Sequence, residues 1–191
     1  MNGMQFTITL QHITPSVWRS IIVAENYSFW DLHVAIQDAF GWQDRHLHAF
    51  EIKGNHEYQI GIPDPDGMDF MRTEPGWEIK IKKFVSKIGS KIKYTYDFGD
   101  DWEHEIVFEK IISGDIKKPV CLGGQRACPP EDCGGPHGYM EFCEIMKTKK
   151  GNDYEEMKAW YGKDYDPEEF DARKVKFDNP KTRFNIMQDM R

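Results

Sequence analysis

The residues able to do chemistry crowd into one stretch, Tyr94 to Tyr139. It opens Y-T-Y-D-F-G-D-D-W-E-H and closes C-L-G-G-Q-R-A-C-P-P-E-D-C-G-G-P-H-G-Y. Asp97, Asp100 and His104 set carboxylates beside an imidazole, the combination that holds a divalent metal or carries a proton. Glu131 and Asp132 add two more carboxylates. Upstream, His46 and His48 are two residues apart, so on a strand both would face the same way and make half of a metal site. Cys121, Cys128, Cys133 and His137 form a second set of donors, suited to zinc. Within that set only Cys128-x4-Cys133 has zinc-like spacing, and Cys143 lies on a helical face with Tyr139, Phe142 and Met146.

Each pattern has a structural reading beside the chemical one. Asp residues favour tight turns because their side chains bond to nearby backbone N–H groups. Small thiols pack well under a proline-stiffened loop. The run C-G-G-P-H-G-Y-M could cradle an anion at a helix start, but no Lys-Ser/Thr pair follows, so it is not a phosphate-binding P-loop. Glycine capping with Pro136 in the first turn explains it equally.

These side chains need a scaffold, and local patterning supplies most of one. Gln5 to Leu10 alternates Phe6, Ile8 and Leu10 with polar residues, as a half-buried strand does. Val17 to Val23 reads as its hairpin partner. A helix follows, with Ser28 as N-cap, Asp31 at the capping-box position and Gly41 as the left-handed stop. Its apolar face carries Phe29, Leu32, His33, Ile36, Ala39 and Phe40, which makes His33 a core or boundary residue rather than a ligand. Two strands are expected to turn at Gly54-Asn55, followed by an irregular loop over 61–77 and a short helix or turn over 84–89.

The next hairpin spans Tyr94 to Glu109. A three-residue loop, Gly99 to Asp101, would pair Phe98 with Trp102, Tyr96 with His104 and Tyr94 with Ile106. That register puts His104 on the aromatic face and Asp97 on the other. A cysteine-bearing loop over 114–136 precedes helices at about 138–148, 153–161 and 167–174. Strands fill the first 110 residues and helices the rest, so the expected class is α+β with a mainly antiparallel sheet.

At 191 residues the chain is long enough for one self-sufficient core, with residues 175–191 as a less ordered extension. No apolar run approaches the ~20 residues of a membrane span, and no signal-peptide pattern opens the chain. A cytoplasmic protein with reduced thiols and no membrane partner is expected. The net charge of -7 disfavours a broad nucleic-acid surface. Residues 79–93 carry six Lys and no acid, however, and form a local basic patch.

Several segments together resemble the plasmid Ri open-reading-frame-three-like family, also labelled insertion-element passenger or resolvase-type proteins. They are I-T-P-S-V-W-R (13–19), D-L-H-V-A-I-Q-D-A-F-G-W (31–42), H-L-H-A-F-E-I (46–52), Y-T-Y-D-F-G-D-D-W-E-H (94–104), A-C-P-P-E-D-C-G-G-P-H-G-Y (127–139) and W-Y-G-K-D-Y-D-P-E-E-F-D (160–171). The resemblance implies an α+β fold and no particular activity. A serine recombinase would need clustered Arg residues around a nucleophilic Ser, and this chain has no such cluster.

The expectation is a binding module tied to mobile-element or plasmid genes, with enzymatic activity left open. It would take a protein or small ligand through the cysteine loop and the 61–77 loop. The candidate cluster is His46, His48, Asp97, Asp100, His104, Glu131 and Asp132, with Trp18 and Arg19 nearby. A metal-dependent hydrolase using His46, His48 and Asp97 or His104, with zinc or another divalent ion, is the first alternative. A nucleic-acid accessory protein is the second.

Overall fold

The computed structural model describes residues 1–52, 58–64 and 71–189. Its frame is an eight-stranded sheet. The strands are β1 (Gly3–Leu10), β2 (Trp18–Ala24), β3 (His48–Ile52), β4 (Gln59–Gly61), β5 (Thr73–Pro75), β6 (Lys91–Tyr96), β7 (Trp102–Ile112) and β8 (Val120–Gln125). They lie in the order β5-β4-β3-β6-β7-β1-β2-β8, antiparallel throughout except for the parallel β4–β5 edge pair. The helices are α1 (Phe29–Phe40), α2 (Gly135–Thr148), α3 (Asn152–Tyr161) and α4 (Pro180–Asp189). This is an α+β fold. Among the described residues no helix is long and apolar enough to cross a membrane.

The local rules hold where expected. β1 buries Phe6, Ile8 and Leu10 and pairs with β2 as a hairpin. α1 closes its N-terminus with a complete capping box. Ser28 Oγ accepts from the Asp31 N–H at 3.2 Å, and Asp31 Oδ2 accepts from the Ser28 N–H at 2.8 Å. Gly41 ends the helix at φ +96°, where a side chain would be strained. The apolar face of α1 lies against β6 and β7, where Tyr94, Tyr96, Trp102 and Ile106 are fully buried.

The β6–β7 register differs from expectation by two residues. Tyr96 pairs with Trp102, Tyr94 with His104 and Ile92 with Ile106, so the loop spans 97–101 rather than 99–101. The cause is Asp97. It takes a left-handed conformation at φ +56°, and its Oδ1 accepts from the Gly99 N–H at 2.9 Å. Its carbonyl accepts from the Asp101 N–H at 2.7 Å. These bonds take Asp97 out of the ladder. A slip of two preserves which way each side chain faces. His104 therefore stays on the aromatic side, whereas Phe98 ends in the loop, half exposed.

Several elements depart from the expected outline. β5 falls inside the expected 61–77 loop, and the helix expected at 167–174 is only a 3-10 turn over Ala172–Lys174. β8 lies inside the stretch read as a loop and pairs with β2. A 3-10 turn over Ile81–Lys83 precedes the expected turn at 84–89. α4 forms within the segment read as an extension. Its anchors are tertiary: Trp30 Nε1 donates to Pro180 O at 3.0 Å, Arg183 reaches Asp38 at 2.7 Å, and Phe184 packs between Trp30 and Trp77. The expected Gly54-Asn55 turn and part of the 61–77 loop lie outside the described residues.

Candidate functional site

The loop at the end of β6–β7 docks against the cysteine loop. Asp100 Oδ2 accepts from the Gly134 N–H at 3.1 Å. Gly135 sits at φ +69°, and a Cβ there would drive into the Asp100 carbonyl oxygen, so the contact needs glycine. Trp42, just past α1, fixes the same loop by donating to Pro129 O at 3.1 Å. Sheet, helix and loop thus meet at one rim.

His46 stands at that rim between two carboxylates. Its Nε2 is 3.0 Å from Asp132 Oδ1 and 3.5 Å from Asp97 Oδ2. Asp97 commits its other oxygen to the turn, which leaves Oδ2 free to face the imidazole. Asp132 also takes a left-handed backbone, φ +57°. Donor atoms of His46, Asp97 and Asp132 all lie within 4.8 Å of one another. His46 Nε2 is shut off from solvent and forms no well-aligned hydrogen bond, despite both carboxylates.

Glu131 supports the rim from behind. Its carboxylate accepts from the Tyr96 hydroxyl at 3.1 Å and from the Gln43 N–H at 2.7 Å. Burial first, and Glu131 second, push the Tyr96 hydroxyl far above its usual pKa, so it remains a donor. Among the described residues no Lys or Arg forms an ion pair with Asp97, Asp100, Glu131 or Asp132. Arg45 places its guanidinium on Gln43 Oε1 at 2.6 Å instead. Asp97 and Asp132 beside the imidazole, with Asp100 and Glu131 on the adjoining loops, make a negative rim that attracts cations. Beside it opens a cleft of about 890 Å³, bordered by Trp42, Glu131, Asp132, Trp160, Tyr161 and Lys163.

The other expected members lie elsewhere. His48 does not share the site of His46, because β3 begins only at His48 and the period of two does not reach back to 46. Its ring is buried and stacks on His33, centroids 3.5 Å apart and planes within 8°. Burial, and then the neighbouring His33, push its pKa well below the usual imidazole range. His104 is also core. It packs edge-on to Phe40 and Trp42, and Nδ1 is 3.3 Å from Tyr94 O. Burial depresses it to about 3, against the opposing pull of the Tyr94 and Trp102 backbones. The grouping of Asp97 and Asp100 with His104 therefore does not form.

Cys121, Cys128, Cys133 and His137 do not gather into a convergent donor group. The cysteines are free thiols, and burial raises each of them, Cys133 to about 12. His137 projects from the first turn of α2 and is exposed. Arg19 is structural. Its guanidinium donates to the carbonyls of Ala39, Trp18, Gln125 and Arg126 and lies over the Phe170 ring at 3.8 Å. Trp18 Nε1 donates to Gln125 Oε1 at 3.2 Å, which helps hold β8 to β2.

Sequence reasoning missed a second cluster. His33 Nε2 is 2.7 Å from Asp44 Oδ1, and its Nδ1 is 2.9 Å from the Tyr94 hydroxyl. Gln37 Nε2 donates to that hydroxyl at 3.0 Å, and Gln37 Oε1 accepts from the Asp44 N–H at 3.1 Å. Burial alone would raise the Asp44 carboxyl, but His33 and Arg183 outweigh it and hold it below the usual range. The available signal was His33 itself, a polar residue on an otherwise apolar helix face.

The model of the family described as plasmid pRiA4b ORF-3-like protein matches residues 2–174. A relative from Sinorhizobium fredii (strain NBRC 101917 / NGR234), described as uncharacterized protein y4hQ, is 34% identical over 166 residues, which is 85% of this chain and 83% of that protein. The fold is similar to the crystal structure of the protein of unknown function MM3350 from Methanosarcina mazei Go1. The TM-score is 0.80 at 37% identity, covering 92% of this chain and 97% of that one.

Proposed function

This chain belongs to the plasmid pRiA4b ORF-3-like family, and we propose that it is a binding module that holds a divalent cation at its rim and offers it to a ligand in the adjoining cleft. One observation carries this reading: His46, Asp97 and Asp132 converge on a common point from three separate segments of the chain. One imidazole and two carboxylates suit manganese, zinc or a similar ion. The Asp132 side chain is 60% exposed, which leaves the outer side of such an ion open to an incoming oxygen atom. Asp132 also lines the cleft, so a ligand held there would lie next to the ion.

The test is titration of the purified protein with Mn2+ and Zn2+ by calorimetry, beside Asp97→Asn and Asp132→Asn. Asn tolerates the left-handed backbone at both positions, so these changes remove charge without straining either loop. Each should weaken binding at least tenfold while the melting temperature holds. Wild-type protein that takes up less than a tenth of an equivalent, or an Asp132→Asn variant that binds as wild type, overturns the proposal.

The open coordination side also supports a hydrolytic reading, in which the ion polarises a bound water. Metal-dependent cleavage of simple phosphate or carboxylate esters, lost in Asp132→Asn, would favour it. The nucleic-acid reading has less support. Lys91 pairs with Glu105, and Lys93 with Glu51 and Glu103, so part of the basic stretch is already neutralised.

A further inference from the structure

Beneath the rim, His33, Asp44 and His48 bring donor atoms within 4.8 Å of one another inside the fold. We propose that they form a second, buried site for a d-block cation of the Zn2+ or Co2+ type. The inference does not depend on the rim site.

His48 is the first argument. Its ring is 3% exposed and neither ring nitrogen has a hydrogen-bond partner. Trp30, Phe50 and Tyr94 surround it, with ring centroids about 6 Å away. A buried imidazole with two idle nitrogens is a costly thing to keep, since folded proteins pair nearly all such groups. An ion bound to one nitrogen gives that group a partner.

The remaining donors are already oriented. The Tyr94 hydroxyl holds His33 through Nδ1, which turns Nε2 toward the cluster, as an outer partner orients a metal-bound histidine. Gln37 holds that hydroxyl in turn. Arg183, 3.8 Å from Asp44 Oδ2, helps keep the carboxylate charged. The Asp44 side chain is 12% exposed and marks the way in.

Two changes are required: the ion takes the place of the His33 Nε2–Asp44 Oδ1 hydrogen bond, and the His48 ring turns. The His33 and His48 rings are parallel within 8°, so their in-plane lone pairs run side by side and cannot meet on one ion. Rotation of His48 about its Cβ–Cγ bond lets them converge. No hydrogen bond resists that rotation; the ring gives up its stack on His33 and repacks against Trp30, Phe50 and Tyr94. The donor set also sets the preference. Two imidazoles with one carboxylate favour Zn2+ or Co2+ over Mn2+ or Mg2+, whereas the carboxylate-rich rim is more tolerant.

The test uses the full chain carrying Asp97→Asn and Asp132→Asn, which removes the rim donors. Titration with Co2+, followed by visible absorption, should still show one equivalent, with the intense bands of a low-coordinate nitrogen and oxygen site. His48→Phe in the same background, which fills the aromatic box with a ring of similar size, should lower the affinity at least 30-fold. Nitrogen NMR of labelled histidine in the rim variant provides a readout independent of that substitution: Zn2+ should shift the ring signals of both His33 and His48. A folded rim variant that binds no Co2+, or ring signals that do not move, overturns the buried site. Loss of the rim site alone would appear as wild-type stoichiometry equal to that of the rim variant, so the two proposals fail separately.

Discussion

His104→Phe provides a stringent check on the buried aromatic core. His104 is 1% exposed and burial depresses its pKa to about 3. In the unfolded chain it titrates near the ordinary value of about 6.5. Between those two values the unfolded state binds a proton that the folded state does not. Stability is therefore complete above pH 6.5 and falls as the pH drops below it, by about 1.4 kcal/mol per unit. From pH 7 to pH 5 this one ring should cost about 2 kcal/mol. For a chain of this size that is a fall in melting temperature of about 4–8 °C. Phenylalanine keeps the edge-on contacts with Phe40 and Trp42 and has no proton to bind. Losing the long bond to Tyr94 O adds an offset of about 1 kcal/mol that does not vary with pH. Other acid-sensitive groups, His48 among them, act equally on both proteins and cancel. The assay is thermal melting of wild type and His104→Phe at half-unit steps from pH 7.5 to 5. The two curves should converge or cross as the pH falls. Curves that stay parallel would refute the reasoning and show that His104 is not held neutral in the core.

Gly135→Ala should separate the two loops that form the rim. The left-handed backbone alone should cost about 1 kcal/mol or more, and the new methyl meets the Asp100 carbonyl. Gly134→Ala shares the strain at φ +86° but meets nothing closer than 3.7 Å. Cation titration should show the Gly135 variant weakened well beyond the Gly134 variant, and equal affinities would count against the docking. Arg183→Gln should loosen α4, since Asp38, Asp44 and Asp178 lose a shared cation. Tryptic cleavage at Lys181, within α4, should quicken about tenfold, equivalent to about 1.4 kcal/mol of local stability. An unchanged rate would mean that Trp30 and Phe184 hold the helix alone.

Local rules made much of the frame legible. The alternation of Phe6, Ile8 and Leu10, and the Ser28–Asp31 cap with its Gly41 stop, need only neighbours in sequence. Facing direction in the β6–β7 hairpin was readable for the same reason, because it repeats every two residues. Register was not, because it rests on Asp97 leaving the strand early for a left-handed turn. β8 escaped notice because Gly123 and Gly124 interrupt its pattern and it forms only by adding to β2. α4 escaped because its anchors, Trp30 and Asp38, lie about 150 residues away. At the rim, His46, Asp97 and Asp132 could be named from residue type alone. The pairing of His46 with His48 failed because it assumed a strand two residues before one begins. Asp44 gave no signal, since only the folded chain brings it to His33.

Tyr94 and Tyr96 lie two residues apart on β6 and face the same way. The first aims its hydroxyl at the buried imidazoles, the second at Glu131 behind the rim. One strand thus works as a ruler with a mark for each site. Inserting a single residue between Ile92 and Tyr94 would turn both hydroxyls to the opposite face and disable both places together. Lengthening the chain at Phe98, past the last mark, would leave them where they are.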